Sequence, residues 1–282
     1  MTTATLPDSI EAALGIGTRN QPKSAGTTRL TVALGEYDTG WHDPKTSIAA
    51  ASRLVKRVAE VGADVVILPE LATTGATTEG DRAVPVDSAD VDALRAIAKS
   101  HQMWIVAGIA LREARGACAV NAAIAIDQSG EIAAIHRKRR LFALGGEDRD
   151  FTPGIDSTVV DINGVKLGLF ICYELRFPEL FGPIASRVDA MAVVANWPAN
   201  RQEHWDALLR ARAIENQCFM IGVNRTGHAD GLSYIGGSTV FDPWGDRLSP
   251  TPVHAIRIAT IDTGRVRKLR EEYPFLRDRL SS

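Results

Sequence analysis

Four short, almost unbroken apolar runs constrain this chain more than any other feature: DVVIL (64–68), WIVAGIAL (104–111), AMAVVA (190–195) and CFMIGVN (218–224). Runs this short, without the polar alternation of a strand that has one wet face, read as strands covered on both sides. Between them lie amphipathic segments predicted as helices over 44–61, 89–100 and 203–216, the first ended by Gly62. An earlier strand starts at Thr28 (TRLTVALGEY). Two hairpins are expected, one joining 119–125 to 131–137 across Asp127–Gly130 and one about Asn163-Gly164. A helix over 178–186, strands near 237–242 and 254–261 about the turn Asp242–Gly245, and a helix over 263–272 complete the reading. Strand–helix–strand units mixed with hairpins imply an α/β protein with buried sheets and helices outside.

The 282 residues suffice for one large core, and no linker divides them. Residues 1–27 are expected as a mobile N-terminal tail and 28–282 as one domain. A net charge of −2 with both signs mixed gives no overall attraction to nucleic acid or to an anionic membrane. The first residues carry Asp8 and Glu11 and lack the basic start and apolar core of a secretory signal, and no apolar run approaches the roughly 20 residues of a membrane span. Cys118, Cys172 and Cys218 are widely spaced with no CxxC pair, which suggests neither a disulfide framework nor a zinc site. A cytoplasmic protein with no metal is expected.

Three stretches can carry chemistry. In GVKLGLFICYELRFPEL (164–180) a strand delivers Cys172 to its end, and Pro178 suits the first turn of a new helix. A thiol at such an elbow faces backbone N–H groups, which is expected to lower its pKa, although a cysteine in a strand also reads as a small core residue. Glu70 follows a buried strand and a proline in ILPELATTG, where open α/β sheets bind ligands, but reads equally as a cap or surface acid. HRKRRLF (136–142) reads as a solvated basic edge or, less well, as a short nucleic-acid contact. Taken together they offer more: a thiol attacking a carbonyl or nitrile carbon needs a base, Glu70, and a cation for the developing oxyanion, Lys138. None of the six histidines sits in a papain-like base motif.

The order of Glu in LPE, Lys in RKxxLF and Cys in ICYELRFPE strongly resembles the nitrilase superfamily of carbon-nitrogen hydrolases, over about residues 28–265. EDRDFTPG, VVANWP, HWDALLRARAIENQ, GVNRTG and GGSTVFDPWG agree with it. The resemblance implies a four-layer α-β-β-α sandwich that pairs as a homodimer or higher homo-oligomer, with no cofactor. It implies Glu70 as general base, Lys138 as oxyanion stabiliser, Cys172 as nucleophile and the Tyr173 N–H as second oxyanion donor. Glu147 matches a second glutamate that orients the substrate amide and the lysine; as an isolated acid it reads as part of a surface loop. Arg176 matches a position that in some members holds a substrate carboxylate, but its neighbours Glu174 and Glu179 equally suit a structural arginine. Asn196 and Trp197 are expected in the pocket, and Arg210, Arg212, Glu215 and Asn216 are expected to tie a helix to the core by ion pairs.

Within the superfamily the motifs look most like the ω-amidases, which hydrolyse the terminal amide of short dicarboxylate monoamides such as 2-oxoglutaramate. Deaminated glutathione amidases, N-carbamoyl amino-acid or carbamoylputrescine hydrolases and nitrilases share the three residues, and Arg140 stands where many relatives carry histidine. A noncatalytic module binding a small acid or a protein is the alternative of another class.

Overall fold

The computed structural model describes residues 27–75, 77–114, 116–248, 251–253 and 256–279. Except for Thr27, the expected N-terminal tail lies outside the described residues. The first half lays down β1 (Arg29–Leu34), α1 (Pro44–Glu60), β2 (Val65–Ile67), β3 (Val84–Pro85), α2 (Ala89–His101), β4 (Trp104–Arg112), β5 (Val120–Ile126) and β6 (Ile132–Arg137). A short helix α3 (Glu147–Asp150) leads to β7 (Thr158–Ile162), β8 (Val165–Ile171), β9 (Ala190–Ala195), α4 (Gln202–Asn216) and β10 (Phe219–Asn224). There follow β11 (Thr226–Ala229), β12 (Leu232–Ile235), β13 (Thr239–Phe241), β14 (Arg247–Leu248), β15 (Thr251–Val253), β16 (Ile256–Asp262) and α5 (Thr263–Glu272).

Two sheets result. One has the order β15-β16-β1-β2-β4-β5-β6, with β3 also paired to β4, and the other has the order β14-β13-β10-β9-β8-β7. The period of two along each strand explains how they stack. Leu30, Val32, Leu34, Val65 and Ile67 of the first sheet meet Leu167, Leu169, Ile171, Ala192, Val194 and Ile221 of the second in one buried layer. The intervening residues Ala33, Val66, Ile105 and Ala107 face the other way, onto Ala51, Val55 and Val58 of α1 and Val91, Leu94 and Ala98 of α2. Phe170, Met191, Val193 and Met220 likewise face Trp205, Leu209 and Ala213 of α4. Strands that bury both faces need apolar residues at every position, which is why the four runs lack alternation. The order of layers is α-β-β-α, as expected.

Two local expectations fail. Residues 178–186 form no α-helix; short 3₁₀ turns cover Cys172–Arg176, Pro178–Leu180 and Gly182–Arg187. Pro183 cannot donate an i→i−4 bond and Gly182 precedes it, so a continuous helix has no support there. The turn at Asp242–Gly245 closes β13 on β14 rather than on the later strand, with Gly245 N donating to Asp242 O at 2.9 Å.

Candidate active site

The C-terminal ends of β2, β8 and β9 and the segment after β6 open into one pocket of about 340 Å³, which contains Glu70, Asn121, Lys138, Glu147 and Cys172. Pro69 ends β2, and the chain folds back through Leu71, whose φ is +49°. This turn packs against β4, with Gly108 N donating to Pro69 O at 3.0 Å. A Cβ on Gly108 would lie 2.4 Å from Glu70 Cα, so only glycine lets the Glu70 turn sit that close.

Glu70 and Lys138 are both buried. Lys138 Nζ donates to Glu70 Oε1 at 2.8 Å and to Glu147 Oε1 and Oε2 at 3.0 and 2.8 Å. Asn121 Nδ2 donates to both carboxylates, at 2.8 Å to Glu70 and 2.7 Å to Glu147. The other Glu70 oxygen accepts from Asn196 N at 2.9 Å. Burial opposes the charge on Lys138, but Glu147 and then Glu70 outweigh it and hold the pKa above the ordinary lysine range. One ammonium thus serves two carboxylates.

Cys172 is half-buried and starts the turn after β8 with φ +41°, a backbone conformation that costs a non-glycine residue about 1–3 kcal/mol. Its thiol points to Asn196 O at 3.8 Å. Contrary to the expectation for a helix elbow, its pKa is pushed well up: burial is the main cause and the Glu70 carboxylate adds to it, against the pull of Lys138. Removal from water disfavours the ionised thiol, and a thiolate beside the Glu70 carboxylate adds like-charge repulsion that Lys138 only partly offsets. The Tyr173 N–H lies in the first turn after β8, where helical N–H groups have no intrahelical acceptor.

The strain at Cys172 is held by a residue that sequence reasoning offered only as a partner for Arg176. Glu174 is fully buried, and its carboxylate accepts from Ile171 N at 2.7 Å and Arg139 N at 3.0 Å. Those amides flank Cys172 and Lys138, so one side chain clips together the two segments that bring sulfur and ammonium into the site. His136 Nε2 lies 2.9 Å from the same carboxylate and Arg139 Nε 3.3 Å from it. Burial alone would raise the Glu174 pKa, but these partners bring it below the ordinary value.

The basic run is thereby divided: Lys138 enters the site, His136 and Arg139 go to Glu174, Arg137 pairs with Glu113, and Arg140 reaches Glu179 at 3.8 Å outside the pocket lining. Arg176 lines the pocket, its guanidinium 4.8 Å over the Trp197 ring, while neighbouring Glu174 turns the other way. Asn196 and Trp197 are present too, but Asn196 Nδ2 is taken by Glu70 O at 3.0 Å. On α4 the expected ion-pair ties are mostly carbonyl ties: Arg212 donates to Leu175 O at 2.9 Å and Arg210 to Gly245 O at 2.9 Å, while Arg212 pairs with Glu215 inside the helix. Asn121 was also missed, although an amide inside the apolar strand VNAAIAI was a signal to follow. Among the described residues no group of three or more His, Cys, Asp or Glu side chains could hold a metal ion, and no helix is long and apolar enough to cross a membrane.

The arrangement can pass a proton from sulfur to Glu70 and offer an ammonium and an N–H to an oxyanion. Residues 31–271 match the Carbon-nitrogen hydrolase family. The chain is 33% identical over 255 residues to 2-oxoglutaramate amidase of Bacillus subtilis (strain 168), covering 89% of this chain and 97% of that one. It is 31% identical over 252 residues to Omega-amidase YafV of Escherichia coli (strain K12), covering 88% and 96%. The crystal structure of XC1258 from Xanthomonas campestris, a CN-hydrolase superfamily protein with an arsenic adduct in the active site, superposes with a TM-score of 0.83 at 30% identity, covering 90% of this chain and 98% of that one.

Proposed function

The chain belongs to the carbon-nitrogen hydrolase family, and on that premise we propose that it is an ω-amidase, hydrolysing the terminal amide of a small carboxylate-bearing substrate such as 2-oxoglutaramate. The observation that carries the reading is the meeting of Glu70, Lys138 and Cys172 in one pocket that also presents Arg176. In this reading Arg176 receives the carboxylate and the amide carbon lies against Cys172. As sulfur attacks, its proton passes to Glu70 and the carbonyl oxygen becomes an oxyanion held by Lys138 and the Tyr173 N–H. The C–N bond then breaks, Glu70 gives its proton to the departing nitrogen, and ammonia leaves a thioester on Cys172. A water that loses its proton to Glu70 cleaves the thioester, releasing the acid and restoring the thiol. Glu147 and Asn121 are positioning residues that aim Lys138 and Glu70.

The raised thiol pKa supports proton transfer during attack rather than a preformed thiolate. Alkylation of Cys172 by iodoacetamide is therefore expected to keep accelerating from pH 7 to about pH 9 without a plateau. Glu70→Gln removes one of the causes of the upward shift, so its thiolate absorbance should appear at lower pH than in the wild type even though turnover is lost. A wild-type plateau near neutrality would contradict the proposed order of events.

The substrate reading is tested by ammonia release from 2-oxoglutaramate, succinamate, glutamine, a carbamoyl amino acid and a simple nitrile. The first two are expected to lead. A lead by the carbamoyl compound or the nitrile would replace the ω-amidase reading while leaving the proposed chemistry in place.

A further inference from the structure

The pocket contains a second guanidinium that the proposed chemistry does not use. Arg201 lines the same cavity as Arg176. It belongs to the 3₁₀ turn Ala199–Arg201 that enters α4, and its guanidinium lies 5.7 Å from the centre of the Phe142 ring. Both arginines therefore rest on aromatic residues that are tied to the site. Trp197, under Arg176, donates from Nε1 to Arg201 O at 2.7 Å. Phe142, beside Arg201, donates from its backbone to Glu147 Oε2 at 2.6 Å, the carboxylate that also grips Lys138. Among the described residues neither guanidinium has an ion-pair partner; Arg176 has only His204 Nδ1 at 3.4 Å.

Two planar cations stacked at one cavity favour an occupant with acceptors in two places. A carboxylate satisfies one fork. The second favours a neutral or anionic oxygen on the neighbouring carbon and disfavours an ammonium there, since like charges repel most where water is thin. Asp230, which also lines the pocket, would favour an ammonium, but it is exposed on the β11–β12 turn, where solvent weakens its reach. Resting on the ω-amidase reading, we propose that Arg201 is a specificity-determining residue that selects 2-oxo acid amides over their 2-amino counterparts.

The test compares kcat/KM for 2-oxoglutaramate, glutamine and 4-carbamoylbutanoate, which has no substituent beside its carboxylate, in wild type, Arg201→Gln and Arg201→Lys. Arg201→Gln is expected to lower the value for 2-oxoglutaramate roughly 10- to 100-fold, the range for a lost charged hydrogen bond. The value for 4-carbamoylbutanoate should fall far less, and that for glutamine should hold or rise. Arg201→Lys keeps the charge without the fork, so it should retain the bias against glutamine while binding the 2-oxo acid less well. Parallel loss on all three substrates, or no change on any, overturns the proposal while the ω-amidase reading stands. A wild type inactive on all three overturns that reading, and this proposal with it.

Discussion

Replacing Cys172 with alanine is expected to reduce ammonia release by about 10⁴-fold or more, with folding and substrate affinity close to wild type. The side chain contributes little to stability, because it is half-buried and its hydrogen bond to Asn196 O is long, at 3.8 Å. Glu70 keeps its bonds to Lys138, Asn121 and Asn196, so the rest of the site stays assembled around the missing sulfur. Alanine also meets the same φ of +41° with no greater steric demand, which leaves the turn after β8 in place. Steady-state ammonia release and equilibrium binding of 2-oxoglutaramate to Cys172→Ala check the two halves of this expectation. Turnover within tenfold of wild type would remove the thioester from the mechanism.

Lys138→Met should do damage of a different kind, to the fold as well as to turnover. The substitution leaves Glu70 and Glu147 buried together without their shared cation, and breaking a buried ion pair on one side typically costs about 3–5 kcal/mol. For a chain of 282 residues that corresponds to a fall in Tm of roughly 5–8 °C. The cause can be isolated with the double variant Lys138→Met/Glu147→Gln. Removing one carboxylate relieves the uncompensated charge, so most of the lost Tm should return while turnover stays absent. A double variant no more stable than the single one would mean that lost packing around the lysine stem, and not charge, is responsible.

Much of the architecture was legible because it rests on local patterns. The run AMAVVA became β9 and HWDALLRARAIEN became most of α4, since burial on two faces and burial on one stripe leave different periods in a sequence. The β11–β12 hairpin was not foreseen: its strands are short and partly exposed, so stretches such as TGHA (Thr226–Ala229) show no strong alternation. The segment after Cys172 was misread because Pro178 resembles a helix start, whereas Gly182 and Pro183 further on permit only isolated turns.

The order of residues by itself determined that Glu70, Lys138 and Cys172 stand at or just beyond strand ends, because a strand must stop where apolar alternation gives way to proline, charge or a turn. Only the tertiary structure decided what those groups are. Packing of the sheets buries the thiol and sets the Glu70 carboxylate beside it, which raises its pKa where a helix elbow alone would have lowered it. It also joins Glu174 to the Arg139 backbone 35 residues away and leaves Arg176 and Arg201 facing the pocket, contacts that no local pattern in the sequence specifies.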